Sequence, residues 1–197
     1  MSINPRVDKL SPDLVQGFLH VDPATVGHFI HFGFVDSGIK PLWRPVKIAG
    51  PAFTIRTPAM DTTMLHRCFE YVKPGDVLVI DRCGDMVHAG FGGVVAFAAM
   101  VQKVTGVVID GLATDIREIE EYRLPVFARG LTALTTKMWG MGGAINPERE
   151  DAKRGLPHGP VGEPAADRRR SSRRGAQDPL SGVSAAGRAA TEGPRHG

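Results

Sequence analysis

Residues 77–130 read VLVIDRCGDMVHAGFGGVVAFAAMVQKVTGVVIDGLATDIREIEEYRLPVFARG. Three short apolar runs punctuate this stretch: VLVI at 77–80, VVI at 107–109 and VFA at 126–128. Each is too short for a helix and apolar at every position, the pattern of a strand covered on both faces. Between them lie an apolar helical run over 94–104, opened by AGFGG at 89–93, and a charged one over 115–122. Strands alternating with helices predict an α/β fold with a mainly parallel, covered sheet.

Upstream, Pro74-Gly75-Asp76 is a tight turn. Asp61 can cap a helix to about Val72 with Leu65, Cys68 and Phe69 inward, and 46–55 reads as a strand bent at Gly50-Pro51. Ser11-Pro12 and Asp22-Pro23 each pair a capping residue with a proline suited to the first helical position. Two short helices are therefore expected, with Leu14, Val15, Phe18 and Leu19 on one and Val26, Phe29 and Ile30 on the other. The chain divides into an N-terminal helical segment, 1–45, an α/β core carrying the site, 46–150, and a tail, 151–197. The tail has no aromatic residue, eight Gly and five Pro, and an Arg/Ser run at 168–174. Such a composition cannot bury enough apolar surface to offset ordering it, and disorder is expected.

Net charge is +3, but the tail alone carries nine basic and five acidic residues, leaving 15 basic and 16 acidic residues in 1–150. The body therefore has no electrostatic bias toward nucleic acid, and the tail's arginines read as a solvated run. Cys68 and Cys83 make no CxxC or zinc pattern, and Cys68 falls on the apolar face of its helix. The first ten residues carry no apolar block, and the most apolar stretch, 92–111, is interrupted by Gln102, Lys103 and Asp110. A cytoplasmic protein with no membrane partner is expected.

Acids ending buried strands, with glycines opening the next helix, form the arrangement by which open α/β sheets build sites. Gly92-Gly93 precede a helix whose first amides are expected to be free, a cradle for a carboxylate or phosphate. The same glycines can also serve only close packing of helix and strand. Asp110 and Asp115 flank the turn at Gly111, with Glu118 three residues beyond Asp115, and oxygen ligands of this kind suit Mg²⁺ or Mn²⁺. Taken alone, Asp115 reads more simply as a helix cap. His28, His31, His66 and His88 show no ligand spacing, and Gly140-Met-Gly-Gly143 lacks the strand and helix of a dinucleotide fingerprint.

Read together, Gly93, twenty residues, Thr114-Asp115, two residues and Glu118 form one pattern. It resembles the signature of the 4-hydroxy-4-methyl-2-oxoglutarate aldolase / regulator of ribonuclease E activity A-like family, Gly-x20-Arg-Asp-x2-Glu/Asp. KPGDVLVID at 73–81, AGFGG at 89–93, GVVIDGLATD at 106–115 and LPVFARG at 124–130 resemble family blocks in family order, over about residues 10–147. The resemblance implies a swivelling α/β/β/α-type domain, a homotrimer, and metal-dependent cleavage of a small oxo acid to pyruvate, with oxaloacetate decarboxylation alongside. It implies that Gly92, Gly93, Val94 and Val95 offer amides to the substrate carboxylate, with Thr114 also at the substrate. Asp115 would hold the divalent cation, and Asp115 and Glu118 would be the catalytic carboxylates. Two departures stand out. The family arginine is Thr114, which has neither charge nor a bidentate fork. The likeness also stops near Asn146-Pro147, where family members continue into further strands. A C-terminally incomplete domain is expected, its tail either the product of a reading-frame shift or a genuine extension. The alternative reading is a non-catalytic regulator that binds a ribonuclease or another protein.

Overall fold

The structure, a computed structural model, describes residues 1–6 and 10–147. In chain order its elements are β1 (Ser2–Ile3), α1 (Pro12–His20), α2 (Pro23–Gly27), β2 (Lys40–Pro41), β3 (Ala52–Arg56) and α3 (Thr63–Arg67). A 3-10 turn, Cys68–Glu70, extends α3. There follow β4 (Val77–Asp81), β5 (Ala89–Phe91), α4 (Gly93–Val101), β6 (Gly106–Asp110), β7 (Leu112–Ala113) and α5 (Ile116–Glu121). The last are β8 (Val126–Ala128), β9 (Gly130–Leu131) and β10 (Ala144–Ile145).

One sheet has seven strands in the order β1-β10-β3-β4-β6-β8-β2. Its centre, β3, β4, β6 and β8, is parallel, with Phe53 beside Leu78, Leu78 beside Val107 and Val107 beside Val126. Alternate residues of these strands are almost wholly buried: Phe53 and Ile55, Leu78 and Ile80, Val107 and Ile109, Val126 and Ala128. They pack against Met64, Leu65 and Cys68 from α3 and its turn, Val95, Ala96 and Ala99 from α4, and Ile119 from α5. Each fully buried aliphatic side chain here contributes about 1.5–3 kcal/mol. Thr54, Val79, Val108 and Phe127, on the opposite face, are only partly covered. The α/β class with a mainly parallel sheet, expected from the three apolar runs, is what the chain adopts.

Several local expectations need correction. The strand expected over 46–55 is regular only from Ala52, because Gly50 passes so close to the turn that an added Cβ would lie 2.3 Å from the Gly75 carbonyl. Pro51 accepts the amide of Val77 through its carbonyl but has no N–H to give in return. The helix expected from Asp61 to Val72 is α-helical only over five residues before it tightens. Helices α1 and α2 start where the Ser-Pro and Asp-Pro pairs place them, and Ser11 accepts the Leu14 amide. Neither buries a residue, however, and Leu14 and Phe18 stay about half exposed. Nor is 1–45 purely helical, since Ser2–Ile3 and Lys40–Pro41 add edge strands to the large sheet.

A second sheet, β5-β7-β9, is wholly parallel. Only Gly111 separates β6 from β7, and only Arg129 separates β8 from β9. The small sheet therefore stands at the carboxyl ends of the large sheet's strands, where open α/β folds place their sites. Among the described residues no helix is long and apolar enough to cross a membrane. The disorder expected for 151–197 lies outside the described residues.

Candidate functional site

Asp115 stands at the N-cap position of α5, but it does not cap that helix. Its backbone is left-handed, with φ 53° and ψ 47°, a conformation that costs an L-residue about 1–2 kcal/mol. The turn aims its side chain at the neighbouring helix instead. Asp115 Oδ2 accepts the N–H of Gly93, the first residue of α4, at 2.8 Å, and Oδ1 accepts the Thr114 hydroxyl at 3.2 Å. The simple capping role suggested by spacing is therefore not what this carboxylate performs.

Gly92 makes that approach feasible. Its extended backbone suits any residue, yet an added Cβ would lie 2.6 Å from Asp115 Oδ2 and 2.8 Å from Thr114 Cγ2. The expectation that the first amides of α4 are free also needs correction, since the Gly93 amide is already bound by Asp115. The amides of Val94 and Val95 belong to the first turn, which has no acceptor of its own within the helix.

These groups border a cavity of about 340 Å³. Gly92, Gly93, Val94, Val95, Thr114 and Asp115 all line it. Glu118 does not: it is exposed, and its stem lies beside Gly93, where an added Cβ would stand 3.3 Å from Glu118 Cβ. Among the described residues the donor set is one carboxylate, the hydroxyls of Thr62, Thr114, Thr135 and Thr136, and a single imidazole, His66, short of the three or four nitrogen and sulfur ligands of a zinc site. That set fits a hydrated Mg²⁺ or Mn²⁺, which needs one or two protein carboxylates, and not zinc, which favours nitrogen and sulfur ligands. Among the described residues no three His, Cys, Asp or Glu side chains cluster as a closed metal cage.

A family described as RraA-like (Aldolase/RraA) matches residues 24–148. The chain belongs to that family. A Halalkalibacterium halodurans protein named "Putative 4-hydroxy-4-methyl-2-oxoglutarate aldolase" is 36% identical over 106 residues, 54% of this chain and 50% of that protein. Protein DlpA of Legionella pneumophila is 28% identical over 128 residues, 61% of this chain and 21% of its own length. The chain thus spans half or less of the length of these two relatives. Among solved structures, the "RNA-processing inhibitor RraA from Thermus thermophilis" aligns with a TM-score of 0.52 at 25% identity, over 56% of this chain and 66% of that one. Streptomyces coelicolor RraAS2, described as an unusual member of the RNase ES inhibitor RraA protein family, aligns at 0.58 and 25%, over 68% and 71%.

Two acids expected at strand ends are engaged elsewhere in this RraA-like chain. Asp81 pairs with Arg56 at 3.1 Å. Asp110 pairs with Arg129, which also reaches Asp36 at 2.9 Å, so Asp110 is no partner to Asp115 at the cavity. Both pairs brace the strand ends and leave Asp115 as the one carboxylate lining the cavity among the described residues.

Nothing in the residue spacing announces what holds the remaining wall. Arg82 is fully buried, and its guanidinium donates to the Thr57 hydroxyl and to the carbonyls of Ala59 and Asp61, with Asp85 at 3.3 Å. Burial pushes its pKa down, and the nearby Asp85 pulls against that shift. Gly90 and Gly111 make room for it, since an added Cβ at either would fall within 2.5 Å of its side chain. Asp61, also buried, accepts from the Thr63 amide and hydroxyl and from the amides of Trp139 and Met141. Burial would raise its pKa, but these hydrogen bonds outweigh it and hold the carboxyl below its ordinary value.

Asp61 and its neighbours stitch 134–141 along the start of α3. Lys137 donates its amide to the Met60 carbonyl at 2.8 Å and accepts the Thr62 amide at 3.0 Å, and Ala89 donates to the Leu134 carbonyl at 2.7 Å. Thr135, Thr136 and Lys137 thereby reach the cavity beside Thr62 and His66. His66 shows no ligand spacing in the sequence, because apart from Thr62 the residues that share its cavity come from three separate stretches, 89–95, 114–115 and 135–138.

Proposed function

We propose that this chain binds a pyruvate-type 2-oxo acid together with Mg²⁺ or Mn²⁺. In our reading it cleaves 4-hydroxy-4-methyl-2-oxoglutarate to pyruvate, with oxaloacetate decarboxylation as a side activity. The observation that carries this reading is the Asp115 carboxylate beside the amino end of α4, inside a cavity of small-ligand size. Family membership and the name of the Halalkalibacterium relative support it.

In this reading the first-turn amides of α4 orient the substrate's carboxylate, helped by the positive end of the helix dipole. Asp115 is the residue that would hold the cation. When bound, a divalent cation supplies Lewis acidity that polarises a 2-oxo group. Glu118, outside the cavity lining, is the weaker of the two carboxylates proposed as catalytic. Thr114 offers a hydroxyl where the family signature has arginine, so the charge-assisted contact that develops in the transition state is missing. A contact of that kind is worth about 2–4 kcal/mol, or roughly 10²–10³ in rate.

The test is pyruvate release from 4-hydroxy-4-methyl-2-oxoglutarate and from oxaloacetate, with Mg²⁺ and with chelator, by the natural chain and by Thr114→Arg. Weak chelator-sensitive turnover that rises in the variant is the expected outcome. If both proteins stay folded and inert, the enzymatic reading fails. A second reading, a non-catalytic ribonuclease regulator, is favoured by Thr114 and by the descriptions of the Thermus and Streptomyces structures. Inhibition of a ribonuclease by the natural chain, undiminished in Asp115→Ala, would select it.

A further inference from the structure

We infer that Lys137, assisted by His66, is the subsite for the remote carboxylate of a dicarboxylic oxo acid. This rests on the reading of the cavity as an oxo-acid site and extends it to substrate choice. Among the described residues Lys137 is the one lysine or arginine lining the cavity, and His66 the one histidine. Position 114, threonine here, supplies no charge, so any positive partner for a second carboxylate must come from another element. The 135–138 segment and α3 supply it.

The base from which Lys137 projects is rigid. Its amide and carbonyl are both engaged, with Met60 and Thr62, and the Thr62 and Thr136 hydroxyls lie 3.2 Å apart beside it. The ammonium has no carboxylate within 4 Å among the described residues, and Asp115 is taken up by Gly93 and Thr114. His66 follows Thr62 by four positions, which puts both on one side of α3. Charge balance favours a dianion. A dicarboxylate plus Asp115 brings three negative charges, which a divalent cation and Lys137 neutralise, whereas a monocarboxylate leaves an ammonium unpaired at the cavity. His66 can add a ring N–H donor.

The experiment compares two five-carbon 2-oxo acids that differ only at the far end. 2-Oxoglutarate carries a carboxylate there and 2-oxopentanoate a methyl group. Titration calorimetry with Mg²⁺ on the full chain should show 2-oxoglutarate bound about five- to tenfold more tightly. Lys137→Met should bring the ratio to about one while leaving 2-oxopentanoate affinity and thermal unfolding unchanged. Lys137→Arg should retain most of the preference, and His66→Gln should reduce it by about twofold. The subsite is overturned if the natural chain binds both acids equally, if Lys137→Met keeps the preference, or if that variant weakens both acids alike. If the natural chain binds neither acid, the oxo-acid reading itself falls and takes the subsite with it.

Discussion

Replacing Gly92 with alanine adds one methyl group at a point where the Asp115 carboxylate already sits. The backbone at Gly92, φ −142° and ψ −169°, accepts alanine without strain, so the substitution by itself should stabilise the chain by about 0.4–1 kcal/mol through the unfolded state. Against this, the new Cβ would stand 2.6 Å from Asp115 Oδ2, closer than non-bonded atoms tolerate, and the carboxylate must leave the Gly93 amide. Losing an anionic cap at a helix start costs about 1–2 kcal/mol. The net expectation is a destabilisation of about 1 kcal/mol, or a Tm lower by about 2–4 °C for a chain of this size. Urea unfolding of the natural chain, Gly92→Ala, Asp115→Ala and the double variant closes a cycle that isolates the contact. Gly92→Ala should harm the natural background, and once Asp115 is gone its unfolded-state gain should be offset only by the contact with Thr114 Cγ2 at 2.8 Å, leaving it near neutral. Additivity within about 0.5 kcal/mol would refute the reasoning, because the methyl would then be acting on something other than Asp115.

Other expectations follow from neighbouring contacts. Arg82→Met should lower unfolding free energy by about 3–5 kcal/mol, since it removes a buried cation from Asp85 and leaves the Thr57 hydroxyl and the Ala59 and Asp61 carbonyls without that donor; a loss under 1 kcal/mol in urea would contradict that role. Asp61 is held below its ordinary pKa of 3.8, so its contribution is complete above that value and is lost as pH falls below it through the folded-state pKa. Tm measured from pH 7 to pH 3 should therefore fall more steeply in the natural chain than in Asp61→Asn, and parallel curves would sink the assignment. Burial pushes the Cys68 thiol up to about 12, while Cys83 is exposed. A thiol reagent should label one cysteine in the native chain and the second only on unfolding, and two equivalents at native pH would be inconsistent with this packing.

The α/β class was legible because VLVI, VVI and VFA are too short for helices and apolar at every position, although the face carrying Val79, Val108 and Phe127 is only partly covered, not buried as that pattern suggests. Helix starts were legible at Ser11-Pro12 and Asp22-Pro23 because capping is a local event, settled within three residues. Burial was not, and the apolar faces of α1 and α2 remain largely uncovered among the described residues. At the cavity, the separation of Gly93 from Asp115 marked the two elements that meet. It could not show that the carboxylate would already occupy the Gly93 amide, since that depends on a left-handed turn no residue pattern requires. Asp110 looked equivalent to Asp115, but Arg129, nineteen residues on, claims it. Arg82 escaped notice, and Asp61 was read only as a helix cap, because their other partners, carbonyls and amides of distant loops, leave no trace in side-chain spacing.

The pairing of Ser2–Ile3 with Ala144–Ile145 has a consequence for how the chain is made. β10 fills a slot between β1 and β3, so β1 has no neighbour until residues 144–145 emerge. For β3, complete at Arg56, the wait for β10 at ordinary translation rates is roughly 4–18 s, during which its free edge lies open to other nascent chains. A holding chaperone, or slow dilution during refolding, should therefore raise the yield of this protein more than any adjustment of buffer.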